Sequence, residues 1–557
     1  MYIMDIWATP KRCVDFWKYI EEDNIMAAGV SGTYKFDSIS SYVWERIDGE
    51  TTISQIVKDI LSIYQLVEKD DFSIVASDVI NLLAKWKEIS LVIVNHNPLH
   101  PFAEHNPDAD YSLHDGIKEK SDLLLMVPPS TLYVSSMHHT QNIYPLGMGY
   151  LASYLHKYSP HTVSIKNLWQ TNCNDKSLEN LFLHARPILL GLSCMTDNYL
   201  NGIRIAHIAK RVLPDIKIVM GGPHPTFRAD EIINTQSCID YVIRSEGENA
   251  LLELSNSIIT NSPSVESILG LTYRIDGEVH HNDRRPFNTN LDALPFPERG
   301  SIDIDADTTI SIHTSRGCPG RCIFCCAASM SGNRYRTRSA DNIIDEMESL
   351  YKKGARKFIF TDDTFTVDIP RLWEFITKVQ SKGWKDIYFT AESRVDVVNR
   401  DIAVFKALRE IGCQGIQFGV EAGSQRMLNL LRKGIKIEWV TDAVKAVVDA
   451  GLSTTCTLLI GHPYDTEETI RETVEFSKVL IDLGADVFLA CVVPYPGSDI
   501  CENAKNYKVT IDPVSYDQYL TSNAIMTTPF LTKKKIRNLF FDSTNELLLY
   551  KKKSPTV

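Results

Sequence analysis

The sequence of 557 residues contains no apolar run long enough to span a bilayer, and its start lacks the basic and apolar regions of a secretion signal. Its net charge of -12 leaves no basic field of the kind that attracts nucleic acid or anionic lipid. Twelve cysteines in so long a chain are too few for a disulfide framework and suit a reducing compartment. We therefore expect a cytoplasmic protein that binds neither nucleic acid nor a membrane.

Three of the twelve cysteines lie together in Arg316-Gly-Cys-Pro-Gly-Arg-Cys-Ile-Phe-Cys. Cys318, Cys322 and Cys325 have the spacing C-x3-C-x2-C, and the aromatic Phe324 precedes the last of them. Iron–sulfur clusters are ordinarily held by four thiolates. Three thiolates in one loop therefore predict a cubane whose fourth iron is open to a ligand that is not protein.

A structural zinc site and reduced core thiols are the alternative interpretations of these cysteines. Structural zinc takes four ligands, usually as two separated pairs, and no second pair lies nearby. Adjacent Cys326 breaks the spacing, and we interpret it as a bystander. No further cysteine cluster follows towards the carboxyl terminus, so auxiliary clusters are not expected.

The cysteine motif resembles the signature of the radical S-adenosylmethionine (SAM) superfamily. The resemblance implies a 4Fe-4S cluster whose unique iron binds the amino and carboxylate groups of SAM. It also implies a 5'-deoxyadenosyl radical, with a reduced flavodoxin or ferredoxin as the electron donor.

From about residue 308 the chain alternates short strand-like runs with amphipathic helical patterns. The predicted strands are Thr309–Ser315, Lys357–Asp362, Ile387–Glu392, Gly415–Val420, Thr454–Ile460 and Asp486–Val493. Six such units predict an incomplete parallel (β/α)6 barrel of the TIM type. Reacting groups of these barrels gather at the carboxyl ends of the strands, and the cysteine loop follows the first strand.

Polar residues after the later strands match the pattern of the superfamily. The resemblance implies acidic residues for the SAM ammonium, an arginine for its carboxylate and a glycine turn near its adenine. Each residue alone could instead be a helix cap or a solvated loop charge, but their order after successive strands favours a SAM site. The SAM-binding candidates are Phe324, Asp362, Asp363, Glu392, Arg394, Gln417, Glu421 and Gly461.

Residues 121–262 predict a separate doubly wound, Rossmann-like domain. Its compact apolar runs are typical of parallel strands covered on both faces: Leu123–Val127, Thr162–Lys166, Ile188–Ser193, Ile216–Met220 and Tyr241–Ile243. A ligand is expected above the strand ends. Leu146-Gly-Met-Gly-Tyr-Leu-Ala has the form of a dinucleotide fingerprint, but Lys166, Asn167 and Trp169 stand where an acidic residue is needed.

Three segments of this domain resemble the cobalamin-binding domain of the largest class of radical SAM methyltransferases. They begin at Tyr144, Gly221 and Arg244, and the resemblance implies the cobalamin-binding candidates Pro145, Gly147, Ser193, Gly221, Gly222, His224 and Glu246. The D-x-H-x-x-G loop of other cobalamin proteins is missing, and His138, His139 and His224 do not recreate it. This implies a corrin without a lower histidine ligand. A flavodoxin-like scaffold without a cofactor is the alternative.

Residues 1–94 differ in kind from the rest of the chain. Trp44-Glu-Arg-Ile-Asp-Gly-Glu-Thr-Thr-Ile and the amphipathic helices after it resemble the PqqD-like winged-helix module that recognises leader peptides of ribosomally made precursors. In such a module the leader adds as a strand to an exposed sheet edge. A structural three-helix domain and a DNA-binding winged helix are the alternatives, and the acidic charge argues against DNA.

We therefore expect an α/β chain of six segments. The predicted limits are 1–94 for the peptide module, 95–120 for a linker, 121–262 for the cobalamin domain, 263–300 for a hairpin and linker, 301–500 for the barrel and 501–557 for an extension. The resemblances together imply a cobalamin-dependent radical SAM enzyme that methylates an unactivated carbon of a precursor peptide. Radical crosslinking, epimerisation or cyclisation, methylation of a small molecule and a noncatalytic leader-binding carrier are the alternatives.

Overall fold

The computed structural model describes residues 9–12, 17–19, 25–29, 32–36, 38–47, 53–63, 69–88, 92–95, 112–114, 116–130, 144–169, 171, 173–300, 302–512 and 515–553. Within these ranges, no helix is both long and apolar enough to cross a membrane. The predicted linker 95–120 lies largely outside the described residues, as do His138 and His139.

The amino-terminal module combines short antiparallel strands with helices. Its elements are β1 (Thr9–Arg12), β2 (Trp17–Tyr19), β3 (Ile25–Gly29), β4 (Gly32–Lys35), α1 (Ser38–Glu45), α2 (Ile53–Ile63), α3 (Lys69–Glu88) and β5 (Val92–Asn95). Strands β2, β3 and β4 form one antiparallel sheet in that order, and β1 pairs with β5. The rings of Phe36, Trp44 and Trp86 pack together with centroids 4.7 to 5.4 Å apart, so Phe36, which follows β4, ties the sheet to the helices.

The second domain is a parallel sheet with helices on both faces. Its elements are β6 (Leu123–Val127), α4 (Leu146–Tyr158), β7 (Val163–Asn167), α5 (Asp175–Ala185), β8 (Leu189–Ser193), α6 (Tyr199–Val212), β9 (Lys217–Gly221), α7 (Pro223–Thr235), β10 (Tyr241–Ile243) and α8 (Glu248–Thr260). The parallel strands follow the order β7-β6-β8-β9-β10, which confirms the doubly wound fold. The strand order reverses between β6 and β8, where such sheets bind ligands.

A hairpin extends this sheet at its β10 edge. Strands β11 (Leu271–Ile275) and β12 (Glu278–His281) pair antiparallel, and β11 pairs with β10. Asp276 and Gly277 both have positive φ, as a two-residue type I' turn requires. The hairpin was expected only as a connector, but it covers a sheet edge.

The third domain is the predicted parallel barrel sheet. Its strands are β13 (Thr309–Ile312), β14 (Ser315–Arg316), β15 (Arg336–Thr337), β16 (Lys357–Phe360), β17 (Tyr388–Ser393), β18 (Cys413–Glu421), β19 (Ser453–Ile460) and β20 (Asp486–Cys491). Its helices are α9 (Ala327–Met330), α10 (Ala340–Lys352), α11 (Ile369–Lys382), α12 (Val404–Glu410), α13 (Gln425–Leu430), α14 (Ile437–Asp449) and α15 (Glu467–Asp482). The parallel strands follow the order β13-β16-β17-β18-β19-β20, as an open barrel of six units requires.

Burial alternates along the strands and assigns their faces. In β17, Phe389 and Ala391 are buried, and Phe389 contacts the Phe375 ring of α11. Thr390 and Glu392 therefore face the concave side of the barrel, because successive strand residues point to opposite faces. Glu392 lies at the carboxyl end of its strand on this concave side.

A carboxyl-terminal extension covers the β20 edge of the barrel. Its elements are α16 (Asp499–Glu502), α17 (Ala504–Tyr507), β21 (Thr510–Ile511), β22 (Met526–Thr527) and α18 (Lys533–Lys553). Helix α18 packs against α15 and β20 and also contacts β2. One helix therefore joins the barrel to the amino-terminal module.

The other edge of the barrel sheet is fixed by a buried ion triad. Glu346 of α10 accepts hydrogen bonds from Arg299 Nη2 at 2.8 Å and from Arg338 Nη1 at 2.5 Å. The two arginines also donate to the carbonyls of Ser311 and His313 at the β13 edge. All three charged side chains are at least 94% buried.

We expect Glu346→Gln to destabilise the barrel, because it leaves two buried guanidinium groups without their counter-charge. The cost should be about 3 kcal/mol, which lowers the thermal unfolding midpoint by roughly 6 to 12 °C. Glu179→Gln is the matched control, since Glu179 forms an exposed pair with Arg211. Equal shifts of the two midpoints in differential scanning calorimetry would contradict the role of the triad.

Candidate active site

A cavity of about 470 Å³ lies where the carboxyl ends of the two parallel sheets face each other. The doubly wound domain contributes the ends of β6, β8, β9 and β10, and the barrel contributes the loop after β13 and Asp363 after β16. Cys325 and Cys326 line the barrel side of the cavity. Parallel barrels and doubly wound sheets both bind ligands at the carboxyl ends of their strands. The ligands of the two domains can therefore share this one cavity.

The cysteine loop holds its three sulfur atoms around a tight backbone turn. The Gly320 N–H donates to Cys318 Sγ at 3.4 Å, and a Cβ at Gly320 would lie 3.7 Å from Cys322 Sγ. The Ala327 N–H donates to Cys325 Sγ at 3.4 Å. Within the described residues, no three His, Cys, Asp or Glu side chains converge on a single metal ion. The two hydrogen bonds fix the positions of Cys318 Sγ and Cys325 Sγ along the loop.

Burial controls the protonation of these cysteines. It raises the pKa of Cys325 to about 12 and raises the pKa of Cys322, against the opposing effect of the nearby Lys433 ammonium. A thiol with so high a pKa is a weak ligand until metal replaces its proton. Binding of iron must therefore supply the free energy that deprotonates the thiols of Cys322 and Cys325.

Acidic groups gather beside the loop on the concave side of the barrel. Burial, together with the carboxylates of Asp363 and Glu421, raises the pKa of Glu392 to about 7. The Glu392 side chain is accessible to solvent on the concave side of the barrel. Glu421 accepts a hydrogen bond from Lys433 Nζ at 2.7 Å, which balances one of these charges. The remaining carboxyl groups favour a cationic ligand.

The doubly wound side of the cavity is lined by small residues. Gly147 has open space where a Cβ would point, and Ser193, Gly221 and Gly222 also line the cavity. Gly222 has a φ of 101°, and a Cβ there would lie 2.7 Å from the Cys194 carbonyl oxygen. These residues leave room for a large flat ligand above the strand ends.

Residues 312–477 match the Radical SAM superfamily, residues 138–255 match the B12 binding domain, and residues 24–92 match coenzyme PQQ synthesis protein D (PqqD). An uncharacterized methyltransferase of Pyrococcus horikoshii is 32% identical over 419 residues, which are 72% of this chain and 89% of the relative. The chain belongs to the radical SAM superfamily. Within it, the chain is a methyltransferase-like enzyme with a B12 binding domain.

Two solved structures share the fold of this radical SAM enzyme. TsrM of Kitasatospora setae, a radical SAM methyltransferase with cobalamin and a 4Fe-4S cluster bound, matches with a TM-score of 0.59 at 18% identity. The match covers 77% of this chain and 89% of TsrM. OxsB, a cobalamin-dependent SAM radical enzyme with aqua-cobalamin bound, has a TM-score of 0.62 at 18% identity over 74% of this chain and 65% of its own.

The cofactors of the radical SAM enzyme are a 4Fe-4S cluster, SAM and cobalamin, as the sequence predicted. The described residues fit all three groups. The loop offers the three thiols of the C-x3-C-x2-C motif, the acidic groups suit the ammonium of SAM, and the glycine-lined cavity suits a corrin. The individual contacts to SAM and cobalamin remain predictions.

The structure corrects the prediction for Asp362. Its Oδ1 accepts hydrogen bonds from the Thr314 N–H at 2.9 Å, from Thr314 Oγ1 at 3.1 Å and from Ser315 Oγ. The side chain is buried beneath the loop and does not line the cavity. Asp362 thus supports the entry to the cysteine loop, and the neighbouring Asp363 is the carboxylate that lines the cavity.

The remaining SAM candidates lie around the same opening. Arg394 Nη1 is 3.5 Å from where a Cβ of Gly320 would be, and its Nε donates to Asp396 at 2.9 Å. The Phe324 ring packs 5.5 Å from the buried His462 ring, and Gln417 lies opposite Glu392 in the strand register. These positions keep the three predicted contacts within reach of the loop.

Gly461 has a different neighbour from the one expected. It has a φ of 86°, and a Cβ there would lie 2.8 Å from Ile536 Cγ2 of α18. The absence of a side chain is therefore explained by packing of the carboxyl-terminal helix. The predicted contact with adenine has no support from this packing.

His224 does not face the cavity, contrary to the prediction. It is buried between the rings of Tyr199 at 4.3 Å and Tyr516 at 4.5 Å, and its Nδ1 lies 3.2 Å from Thr196 Oγ1. Burial lowers its pKa to about 3, so the imidazole is neutral. The position of His224 after Gly221 and Gly222 predicted a cobalamin contact. The first turn of α7 instead directs its side chain towards Tyr199 and Tyr516, away from the cavity. Pro145, at the start of α4, also lies outside the cavity lining.

Glu246 lines the cavity, but its carboxylate is already engaged. Its Oε1 pairs with Arg316 Nη1 at 2.9 Å and Arg336 Nη1 at 2.8 Å, and its Oε2 accepts from the Asn288 N–H. Burial opposes ionisation, but the arginines prevail and lower the pKa of Glu246. Glu246 is therefore a bridge between domains. Sequence reasoning missed Arg316, although it stands two residues before Cys318.

Replacement of Cys318, Cys322 and Cys325 by alanine is expected to abolish cluster binding, because no other described thiol can take their places around the turn. Cys326→Ala is the matched control, since Cys326 is adjacent and lines the same cavity. Iron and sulfide content after anaerobic reconstitution measures the outcome. Loss of the cluster from Cys326→Ala, or its retention in the triple variant, would refute the assignment.

Glu392→Gln is expected to flatten the pH dependence of stability. The folded-state pKa of about 7 exceeds the ordinary value of 4.5, so the folded protein binds the extra proton between these limits. The contribution of Glu392 to the free energy of unfolding is therefore lost as pH rises from about 4.5 to about 7. Thermal midpoints of the protein without SAM should fall less in Glu392→Gln than in the wild type between about pH 5 and 8. Exposed Glu410→Gln is the control, and identical slopes in all three proteins would exclude the raised pKa.

Proposed function

We propose that this radical SAM enzyme methylates an unactivated carbon of a precursor peptide that it holds through the peptide's leader. The observation that carries the proposal is the PqqD match over residues 24–92, fused to a cobalamin-type radical SAM enzyme. A module that resembles a leader-recognition domain has an evident use only if the substrate is a peptide.

The sheet of the amino-terminal module offers an edge for such a peptide. Among the described strands, β4 pairs with β3 on one side and with no strand on the other. An extended leader could add there as a further strand, with main-chain hydrogen bonds that place little demand on sequence. We propose the outer edge of β4 as the leader site.

Helix α18 connects the module that carries the proposed leader site to the barrel, where the reaction would take place. It contacts β2 of the module at the side of the sheet opposite β4, and it packs against β20 and α15 of the barrel. The module is thereby held beside the open barrel, and the helix contacts the edge of the sheet that is opposite β4. A peptide bound at β4 can extend from the module without displacing the helix.

The proposed roles of the cavity residues follow from their charge and size. The cluster and one SAM would supply a 5'-deoxyadenosyl radical, and cobalamin would carry a methyl group taken from a second SAM, which would leave as S-adenosylhomocysteine. Asp363 and Glu392 bind the SAM ammonium and Arg394 its carboxylate, while Gly147 and Gly221 leave space for the corrin. The two sheets hold these groups in register, which is the main contribution of a protein to cofactor chemistry.

We retain a reduced flavodoxin or ferredoxin as the proposed electron donor. Arg321 is exposed within the cysteine loop, next to Cys322. A basic side chain there suits an acidic electron carrier, because complementary charges increase the rate of encounter.

Methylation of a small molecule is the second candidate function. A structure of TsrM contains a tryptophan substrate and a SAM analogue, and it matches this chain with a TM-score of 0.57 at 20% identity. In that protein, the shared fold accommodates a free amino acid as substrate. In that case the amino-terminal module would be structural.

The decisive assay is anaerobic incubation of reconstituted enzyme with SAM, reductant and the precursor peptide encoded beside its gene. We expect one methyl group to replace one hydrogen atom of the peptide, a net gain of CH2, with 5'-deoxyadenosine and S-adenosylhomocysteine as the other products. The peptide without its leader is the control and should be modified far more slowly. Loss of hydrogen without a methyl gain would contradict methylation, and equal rates for both peptides would contradict leader recognition.

Proline at Thr33 and at Tyr34, tested separately, probes the β4 edge. Neighbouring N–H groups of a strand point to opposite sides, so one proline removes a bond to β3 and the other removes a donor from the free edge. The variant whose proline removes a donor from the free edge should retain its circular dichroism spectrum and should bind the precursor roughly tenfold more weakly. Unchanged binding by both folded variants would place the leader elsewhere.

A further inference from the structure

The cysteine loop is closed at its base by a two-stranded ribbon. Strands β14 and β15 pair antiparallel, and Arg316 lies directly opposite Arg336 in their register. All three cluster cysteines lie in the segment 317–335 between the two strands. The positions of these two arginines therefore determine where the loop begins and ends.

Both arginines extend across the domain boundary to Glu246, and Arg316 also reaches Glu248. Arg316 donates through Nη1 to Glu246 at 2.9 Å and through Nη2 to Glu248 at 2.6 Å. Arg336 donates through Nη1 to the same Glu246 oxygen at 2.8 Å and to the Asn288 carbonyl at 2.7 Å. The four charged side chains are between 8% and 18% exposed. Charge-assisted bonds at such depth are short and directional.

The acidic partners belong to the part of the second domain that lines the cavity. Glu246 follows β10, Glu248 stands in the first turn of α8, and both line the cavity. The Arg316 guanidinium also lies over the ring of Tyr150 from α4, with its central carbon 5.4 Å from the ring centroid. Arg316 is thus held by two segments that border the proposed corrin space.

We propose that Arg316, assisted by Arg336, is a positioning residue that sets the distance and orientation between the iron–sulfur cluster and cobalamin. Its planar fork spans two separate carboxylates, which a lysine ammonium cannot do with the same geometry. The ribbon transmits this position to the loop, because only one residue separates Arg316 from Cys318. The bridge therefore aligns the two halves of the cavity before any substrate binds.

The distance between the two cofactors can be measured without a substrate. In anaerobic holoenzyme with a reduced cluster and cob(II)alamin, each centre carries an unpaired electron, and their dipolar coupling depends steeply on distance. Pulsed electron paramagnetic resonance of the wild type should give one well-defined coupling. In Arg316→Met we expect a broad distribution of couplings instead of a single value. In Arg316→Lys we expect a distribution narrower than that of Arg316→Met but broader than that of the wild type. Iron and cobalamin contents should stay at wild-type levels in both variants.

Arg211→Met is the matched control, because Arg211 forms an exposed pair with Glu179 within the second domain and far from the ribbon in the chain. Its coupling should equal that of the wild type. A wild-type coupling in Arg316→Met would overturn the proposal, even if the variant unfolds at a lower temperature, because the bridge would then be a structural brace alone.

If Arg316→Met fails to fold or to bind a cofactor, Glu248→Gln tests the same bridge with a smaller change. It removes the negative charge of one of the two carboxylates that bind Arg316, and it preserves the shape of the Glu248 side chain. We expect a broadened coupling in this variant, and an unchanged coupling would overturn the proposal. Neither measurement uses a peptide, so their results are independent of the proposed function.

Discussion

The active site depends on one constraint, a loop that supplies three thiolates to a cubane and no fourth. Gly320 supports this loop, since its N–H donates to Cys318 Sγ at 3.4 Å. Cys326 follows the last ligand directly but breaks the spacing. Because burial raises the pKa of Cys322 and Cys325, the cluster must itself keep the thiolates ionised. The iron without a cysteine is what makes the loop reactive rather than structural.

The fold brings a second cofactor to this loop by opposing two parallel sheets. Each sheet presents the carboxyl ends of its strands to a single cavity of about 470 Å³. The barrel side is acidic around Glu392 and suits a cation, whereas the other side is lined by glycines and suits a flat ring. Buried arginine–glutamate bridges join the sides, and helix α18 joins the barrel to the amino-terminal module.

Much of this architecture follows from local sequence patterns. The spacing of Cys318, Cys322 and Cys325 predicted the cofactor, and the alternation of strands and helices predicted both parallel sheets. The predictions for Asp362 and His224 were wrong for the same reason, since both residues were assigned from their places in motifs while tertiary packing determines where their side chains point. Arg316 could not be found in this way, because its bonds cross about 70 residues of sequence to another domain.

The central claim, that one iron of a three-cysteine cluster is free to bind SAM, has a direct spectroscopic test. Electron-nuclear double resonance of the reduced cluster, with SAM isotopically labelled at its amino nitrogen, detects a bond from that nitrogen to iron. We predict a hyperfine coupling from the labelled nitrogen that disappears when SAM is omitted. A reduced cluster that is saturated with SAM and shows no such coupling would contradict the account.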